Sequence, residues 1–117
     1  MTALRLISLP AHAGFEFAGG LALMVAPFAF GFSTTGLLVA VILGALVAGL
    51  ALSAASRDGG GTTISGHLAF DRVVVLALVS GALAMAIGGD SSAAVALLAG
   101  AVVQLTLIVT TRYIASP

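Results

Sequence analysis

Residues 17–56 read FAGGLALMVAPFAFGFSTTGLLVAVILGALVAGLALSAAS, and this stretch contains no charged side chain. A transmembrane helix requires about 20 mostly apolar residues to cross a hydrocarbon core of about 30 Å, so the stretch is long enough for two crossings. We predict the break between them at residues 31–36, where two glycines flank hydroxyl side chains suited to helix capping. The stretch therefore predicts two helices, near residues 11–32 and 36–56, that form a hairpin.

The second half of the chain has the same organisation. Residues 57–66, RDGGGTTISG, form a polar, glycine-rich stretch that predicts a loop in water. Two more helices are predicted near residues 67–87 and 93–113, separated by turn residues 88–92. Apolar runs of this length favour helices over membrane strands, which need only about 9 to 11 residues. We predict an all-α integral membrane four-helix bundle, with residues 1–117 as a single membrane domain.

The composition excludes several classes of protein. Of the 117 residues, 61% are hydrophobic and only 7% are charged, with a mean hydropathy of +1.27. Soluble domains carry about 25% charged residues, so this chain is not a water-soluble protein. Four basic residues balance four acidic ones, which argues against a nucleic-acid partner. The sequence contains no phosphate-binding loop and no recognisable Ser/His/acid set, so we do not expect an enzyme.

The arginines predict the orientation in the membrane. Arg5 precedes the first predicted helix, Arg57 lies in the middle loop, Arg72 lies near the start of the third helix and Arg112 ends the fourth. Because each hairpin crosses the membrane twice, all four arginines lie on one side of it. Loops rich in arginine and lysine remain cytoplasmic in most membrane proteins. We therefore predict a multi-pass inner-membrane protein with both termini and the 57–66 loop in the cytoplasm.

An internal repeat relates the two hairpins. The pattern His12-x-x-Phe-Glu16 reappears as His67-x-x-Phe-Asp71, at an offset of 55 residues, and each copy opens a predicted helix. The same offset relates three pairs of leucines: Leu23 and Leu78, Leu50 and Leu105, and Leu52 and Leu107. These matches predict two hairpins of like orientation, related by a pseudo-two-fold axis along the membrane normal.

A short motif in the first hairpin resembles a known family. Ala26-Pro27-Phe28, followed by Gly31-Phe32, is similar to the Ser-Pro-Trp and Gly-Phe signature of SPW-repeat membrane proteins, whose unit is a two-helix hairpin. The resemblance covers residues 12–56 and, with Ala82 in place of the proline, residues 67–113. It implies a small bacterial membrane protein built from hairpin repeats, with no established chemistry.

The repeated His/acid pairs are the candidate proton or ligand site. His12 and Glu16, like His67 and Asp71, are four residues apart and lie on one helix face. If the first and third helices meet, the four side chains converge at the cytoplasmic end of the bundle. They could then bind a metal ion, with haem ligation by the two histidines as a variant, or relay protons.

A simpler interpretation treats the two acids as separate helix-end groups near the lipid headgroups. An acidic side chain there complements the positive end of the helix dipole. In this case Glu16 and Asp71 act independently, and each contributes no more than about 1 kcal/mol.

Other residues have structural interpretations. Pro27 is expected to kink the first helix, and Gln104 to make an interhelical hydrogen bond contributing about 1 kcal/mol. Thr106 and Thr110 are expected to bond back to their own helix. Small residues spaced four apart predict helix contacts: Ser80, Ala84 and Gly88; Ala45 and Gly49; and Ala96 and Gly100.

Two classes of function fit these observations. The first is a small non-enzymatic membrane protein, an accessory subunit or a homo-oligomer, because so few polar groups leave little from which to build a substrate cavity; no cofactor is then expected. One alternative is a small proton-coupled transporter. Its size and the acid Glu16 in the first helix would be like those of small-multidrug-resistance transporters. Another alternative is a metal- or haem-binding membrane protein that uses the His/acid pairs. The expected partners are the lipid bilayer and other membrane subunits or further copies of the chain.

Overall fold

The computed structural model describes residues 6–55 and 64–111 of the chain. Four helices are present: α1 (Leu9–Phe30), α2 (Thr34–Ala55), α3 (Ile64–Ile87) and α4 (Ser91–Thr110). All four are long and apolar enough to cross a membrane, since 20 residues of helix span about 30 Å. Neither described range contains a β-strand, although Ile7 and Thr111 form an isolated bridge. The predicted all-α membrane fold is confirmed.

Each helix begins two or three residues earlier than predicted. Capping side chains explain three of these starts, and in α2 the Ser33 hydroxyl accepts a hydrogen bond from the Gly36 backbone N–H. The Ser8 hydroxyl accepts a hydrogen bond from the Ala11 backbone N–H, and the Asp90 carboxylate accepts one from the Ala93 N–H. These bonds satisfy backbone donors that a helix leaves free in its first turn.

Pro27 lies within α1, and the helix continues past it to Phe30. Gly31 ends the helix with φ at 66°, in the left-handed region that glycine adopts without a steric penalty. Its N–H donates to the Pro27 carbonyl at 3.0 Å, and the Phe32 N–H donates to the same oxygen at 3.2 Å. The helix kink at Pro27 stays a prediction.

The helices form a bundle of two hairpins. α1 packs most closely against α2, and α3 against α4, while α2 contacts α3 and α4 contacts α1. The contacts thus run in a ring, and α1 and α3 face each other across its interior. This arrangement matters for the site, because the His/acid pairs lie on α1 and α3.

Each helix buries one narrow stripe of side chains at spacings of three and four residues, as in other helical bundles. The apolar core consists of Leu23, Val47, Val74, Leu78, Ala82, Met85, Ala93, Leu97 and Ala101. Large apolar side chains also cover the outside: Phe28 is 72% exposed and Ile87 is 88% exposed. An apolar exterior around an apolar core suits a lipid environment and would be insoluble in water.

Two glycines bring the backbones of α1 and α2 close together. A Cβ atom added at Gly20 would lie 2.7 Å from the Gly44 carbonyl oxygen and 2.7 Å from the Ala48 backbone nitrogen. A Cβ atom added at Gly44 would lie 2.6 Å from the Gly20 oxygen. The backbones of α1 and α2 therefore touch here, as small residues allow in membrane helices.

The small-residue faces predicted on α2 and α3 are largely wrong. Ala45, Gly49, Ala84 and Gly88 are exposed, and a Cβ atom at Gly49 would meet nothing within 4 Å. On α4, a Cβ atom at Gly100 would lie 3.7 Å from Leu23 and from Leu78, which is ordinary contact. Spacings of four recur on every face of an alanine-rich helix, so spacing alone does not identify the buried face.

The repeat is present in the structure with one adjustment. In α1 and α3 the offset of 55 relates buried residues, including Leu23 to Leu78. α3 then extends two residues further, so α2 and α4 correspond at an offset of 57, from Thr34 and Ser91 onward. The buried residues Gly36, Ala40, Gly44, Val47 and Ala51 of α2 correspond to Ala93, Leu97, Ala101, Gln104 and Ile108 of α4.

The adjusted offset corrects two leucine matches. Leu52 is 62% exposed whereas Leu107 is 6% exposed, so these residues are not structural equivalents. Leu50 corresponds to Leu107 instead of Leu105. In a leucine-rich sequence, a match two residues out of register arises easily by chance.

Candidate functional site

The two His/acid pairs converge in the interior of the bundle. His12 and Glu16 on α1 meet His67 and Asp71 on α3, and each of the four residues is at most 1% exposed. Each offers one ligand atom, and these atoms lie within 4.8 Å of one another. We call these four residues the His/acid cluster. Because the four side chains contact one another, Glu16 and Asp71 are not two separate helix-end groups.

The contacts within the cluster cross between the two helices. His12 Nε2 lies 3.0 Å from Asp71 Oδ2, and His67 Nε2 lies 3.1 Å from Glu16 Oε1. The contacts along each helix are slightly longer, at 3.5 Å for His12 with Glu16 and 3.3 Å for His67 with Asp71. Each imidazole thus lies between both carboxylates, and the pattern follows the pseudo-two-fold relation of the hairpins.

Gln104 of α4 joins the two acids. Its Nε2 donates to Glu16 Oε2 at 2.8 Å and to Asp71 Oδ1 at 3.1 Å. The amide makes the interhelical contact predicted for it, and it connects three helices. The corresponding residue of α2 is Val47, so Gln104 breaks the symmetry of the site.

Thr111 is a member of the site that the sequence analysis missed. Its Oγ1 lies 2.8 Å from His12 Nδ1, and the residue is fully buried. Backbone pairing with Ile7, whose N–H donates to the Thr110 carbonyl at 2.9 Å, holds it beside the start of α1. A signal existed in the sequence, because Thr111 follows Gln104 by seven residues and shares its face of the predicted helix 93–113, although in the structure Thr111 is the extended residue just after α4.

The two threonines that the sequence analysis did consider lie outside the site. The Thr106 hydroxyl donates to the Val102 carbonyl at 2.8 Å, and the Thr110 hydroxyl donates to the Thr106 carbonyl at 2.6 Å. These bonds confirm the predicted bonding of both side chains to their own helix.

Several short contacts of the cluster are not aligned as hydrogen bonds. His67 Nε2 and Glu16 Oε1 are 3.1 Å apart, yet neither atom has a well-oriented hydrogen-bond partner among the described residues. The same holds for His67 Nδ1. Buried polar atoms are normally paired, so this arrangement calls for an explanation.

The charge of the cluster also requires compensation. Two ionised carboxylates in a low-dielectric interior are costly unless positive charge lies beside them. Arg72, the arginine within the described ranges, is exposed and follows Asp71 on a different face of α3. Protonated imidazoles or a bound cation are therefore the available sources of positive charge.

The four side chains lie close enough together to share a small metal ion. Zn²⁺ forms bonds of about 2.0 to 2.1 Å to histidine nitrogen and carboxylate oxygen, which places neighbouring tetrahedral ligands about 3.3 Å apart. The four nitrogen to oxygen distances of the cluster lie between 3.0 and 3.5 Å, but each joins a different carboxylate oxygen, so they are not the edges of one tetrahedron. With one ligand atom from each residue, the four atoms lie within 4.8 Å of one another, so small side-chain movements are needed to close a tetrahedral site. Haem fits less well, because Glu16 and Asp71 occupy the space next to both Nε2 atoms, where a macrocycle would have to sit.

A cavity of about 230 Å³ extends from the cluster between α1 and α4. Glu16 and Gln104 form part of its wall, and Phe15 and Val103, which are 58% and 53% exposed, lie where it opens to the outside. Leu23, Val47 and Leu78 of the core also line it, and the remaining lining residues are small: Gly19, Ala22, Ala26, Ala96, Ala99 and Gly100. The bundle thus has the interior space that its composition did not lead us to expect.

Fold and site together define a small membrane protein with four helices that are able to cross a bilayer and a buried His/acid cluster between them. Comparison of the chain with known protein families, curated proteins and solved structures found no match. The resemblance to SPW-repeat proteins therefore stays a prediction from Ala26-Pro27-Phe28 and Gly31-Phe32.

Proposed function

We propose that the protein binds a divalent transition-metal ion of the zinc type at the His/acid cluster. The observation that carries this proposal is the convergence of two imidazoles and two carboxylates, fully buried, with ligand atoms within 4.8 Å of one another. Imidazole nitrogen and carboxylate oxygen together suit Zn²⁺ and neighbouring first-row metals.

Charge supports a divalent ion. One such ion balances the two negative charges of Glu16 and Asp71 and leaves both imidazoles neutral, which is the form that ligates a metal. Buried ion pairs alone contribute little to stability because removing the charges from water costs as much as their attraction returns. Four ionisable groups at one buried place are therefore better explained by a bound ion than by packing.

Residues around the cluster support the same proposal. Gln104 donates to both carboxylates, and Thr111 Oγ1 contacts Nδ1 of His12, the ring nitrogen opposite the one that faces the acids. Such outer hydrogen bonds orient metal ligands, and their loss typically lowers metal affinity by about 10- to 100-fold.

Calorimetric titration of the purified protein with Zn²⁺ in detergent tests the proposal. We expect one ion per chain, a large loss of affinity in His67→Ala, and a loss of about 10- to 100-fold in Gln104→Leu. Thr106→Val, which removes an exposed hydroxyl outside the site, is the matched control and should bind as the original protein does. A folded protein that binds neither Zn²⁺ nor Mn²⁺ contradicts the proposal.

A proton site is the second candidate, because it uses the same four residues and the imidazoles can also supply the positive charge. The titration separates the two: metal-independent proton uptake that disappears in His12→Ala favours the proton site.

The role of accessory or oligomeric subunit remains a separate prediction. Purification from native membranes in mild detergent tests it through the proteins that accompany the chain.

A further inference from the structure

We propose that a groove on the outside of the bundle, between α3 and α4, binds an anionic phospholipid. Arg72 would hold the phosphate, and the groove would hold an acyl chain. The groove has a volume of about 470 Å³, and its wall consists of Arg72 and six aliphatic side chains, among them Leu68, Leu76 and Val109. This surface is separate from the His/acid cluster, so the inference does not depend on the proposed metal site.

Arg72 is the feature that selects an anionic occupant. It is exposed, and it lies within an apolar span that is able to cross a membrane. An arginine at such a position is costly unless it finds a counter-charge or reaches the membrane interface. The phosphate of a phospholipid supplies that charge, and its oxygens match the planar fork of donors on a guanidinium.

The acids within residues 6–55 and 64–111 are engaged elsewhere. Glu16 and Asp71 contact the two imidazoles in the interior of the bundle. Asp90 accepts hydrogen bonds from Ser33 at the opposite end. The counter-charge for Arg72 is therefore expected from outside the bundle, where lipid surrounds the helices.

The depth of Arg72 places a lipid phosphate within its reach. It follows Gly66, the first residue of the apolar span of α3, by six residues, which is about 9 Å along the helix. Helical side chains lean towards the N-terminus of their helix, and a long arginine extends in that direction to the interface. The groove continues to Leu76, one turn deeper than Arg72, so a chain attached to the phosphate follows it into the hydrocarbon core.

The corresponding face of the first hairpin differs in both respects. At the offset of 55 residues, Phe17 stands at the position of Arg72, and Gly20 stands at the position of Val75. The backbones of α1 and α2 touch at Gly20 and Gly44, and these helices pack more closely than α3 and α4 do. The arginine and the wider spacing thus occur together on the second hairpin, which favours a specific lipid site over a general coating of the bundle.

Native mass spectrometry of the purified protein with added lipid tests this inference. The probes are dioleoyl phosphatidylglycerol, dioleoyl phosphatidylcholine and dioleoylglycerol, which share their acyl chains and differ in the headgroup. We expect phosphatidylglycerol to bind about tenfold more tightly than phosphatidylcholine, whose ammonium group competes with Arg72 for the phosphate. Dioleoylglycerol, which has no phosphate, should bind most weakly. Equal affinity for the three lipids would overturn the inference.

Variants of Arg72 test whether the preference comes from this site. Arg72→Gln should lower the affinity for phosphatidylglycerol to that for phosphatidylcholine, and an unchanged preference would overturn the inference. The double variant of Phe17→Arg with Arg72→Gln is the matched control, because it keeps the net charge and moves the arginine to the first hairpin. It should behave as Arg72→Gln does. Recovery of the preference would overturn the inference, since any arginine on the outside would then suffice.

Filling the groove is an independent test that leaves every charge in place. Val109→Phe should weaken phosphatidylglycerol binding by about tenfold, because the acyl chain loses its space. Val95→Phe is the control, since Val95 is also exposed on α4 but does not line the groove. This pair carries the test if Arg72→Gln does not fold. Equal binding of phosphatidylglycerol by the two phenylalanine variants would overturn the inference and leave the metal proposal unaffected.

Discussion

Glu16 and Asp71 lie on different helices but share the same neighbours. Both contact the two imidazoles, and both accept from the Gln104 amide. The independence expected for separate helix-end groups therefore does not apply. Each acid affects the position and the charge of the groups that the other depends on.

A double-mutant cycle of Glu16→Gln and Asp71→Asn should be non-additive. Residues within one hydrogen-bonded network show coupling energies of about 0.5 to 3 kcal/mol, whereas distant sites add to within about 0.5 kcal/mol. The measurement is the free energy of unfolding in detergent for the four proteins. A second cycle of Glu16→Gln with Thr106→Val serves as the control, and additivity in both cycles would contradict the shared network.

At the scale of the element, the contact of α1 with α2 depends on Gly20 and Gly44. We expect Gly44→Ala to destabilise the protein by about 1 to 3 kcal/mol, because the new Cβ atom would lie 2.6 Å from a backbone oxygen that cannot rotate away. Gly49→Ala on the same helix is the control and should be neutral or stabilising, since that site is open. Thermal unfolding in detergent measures the difference; equal stability of the two variants would refute the contact.

The two hairpin turns are joined at the opposite end of the bundle from the cluster. Asp90 Oδ2 accepts from the Ser33 backbone N–H at 2.8 Å and from the Ser33 hydroxyl at 2.6 Å. Each residue also caps its own helix, since Ser33 Oγ accepts from the Gly36 N–H and Asp90 from the Ala93 N–H. The two caps occupy corresponding positions in the repeat and bond to each other.

This link predicts a pH dependence of stability. The hydrogen bonds from Ser33 and Ala93 hold the pKa of Asp90 below its ordinary value of 3.8. A carboxyl group whose pKa is lower in the folded protein stabilises it above the ordinary value and loses that contribution as the pH falls below it. The stability difference between the original protein and Asp90→Asn should therefore be larger at pH 6 than at pH 3. A stability difference that does not change with pH would show that the ionised Asp90 carboxylate does not stabilise the fold.

For the whole molecule, the prediction is topological. Both termini and the 57–66 loop are expected in the cytoplasm because the arginines lie on that side. Of these arginines, Arg5, Arg57 and Arg112 lie outside the described residues, while Arg72 lies near the end of the bundle where α1 and α3 begin. Single cysteines introduced at Gly60 and Ser91 report the orientation. An impermeant thiol reagent on intact cells should label only Ser91→Cys; labelling of Gly60→Cys alone would reverse the orientation.

The helices and their order follow from local features of the sequence. Apolar runs of about 20 residues, interrupted by glycine and capping residues, specify membrane helices through the cost of unpaired backbone groups in lipid. The i, i+4 spacing of His12 with Glu16 and of His67 with Asp71 also placed each pair on one helix face. These properties are local, so a single sequence is enough to predict them.

Which helix faces meet becomes clear only from the packing of the folded chain. Lipid tails are as apolar as a leucine core, so the helices show no amphipathic pattern that identifies their inner side. The Gly20 and Gly44 contact, the shift of the repeat offset to 57, the participation of Thr111 and the cavity beside Gly100 all depend on packing between distant segments. The His/acid cluster combines both levels, because local spacing forms each pair and the facing of α1 and α3 brings the pairs together.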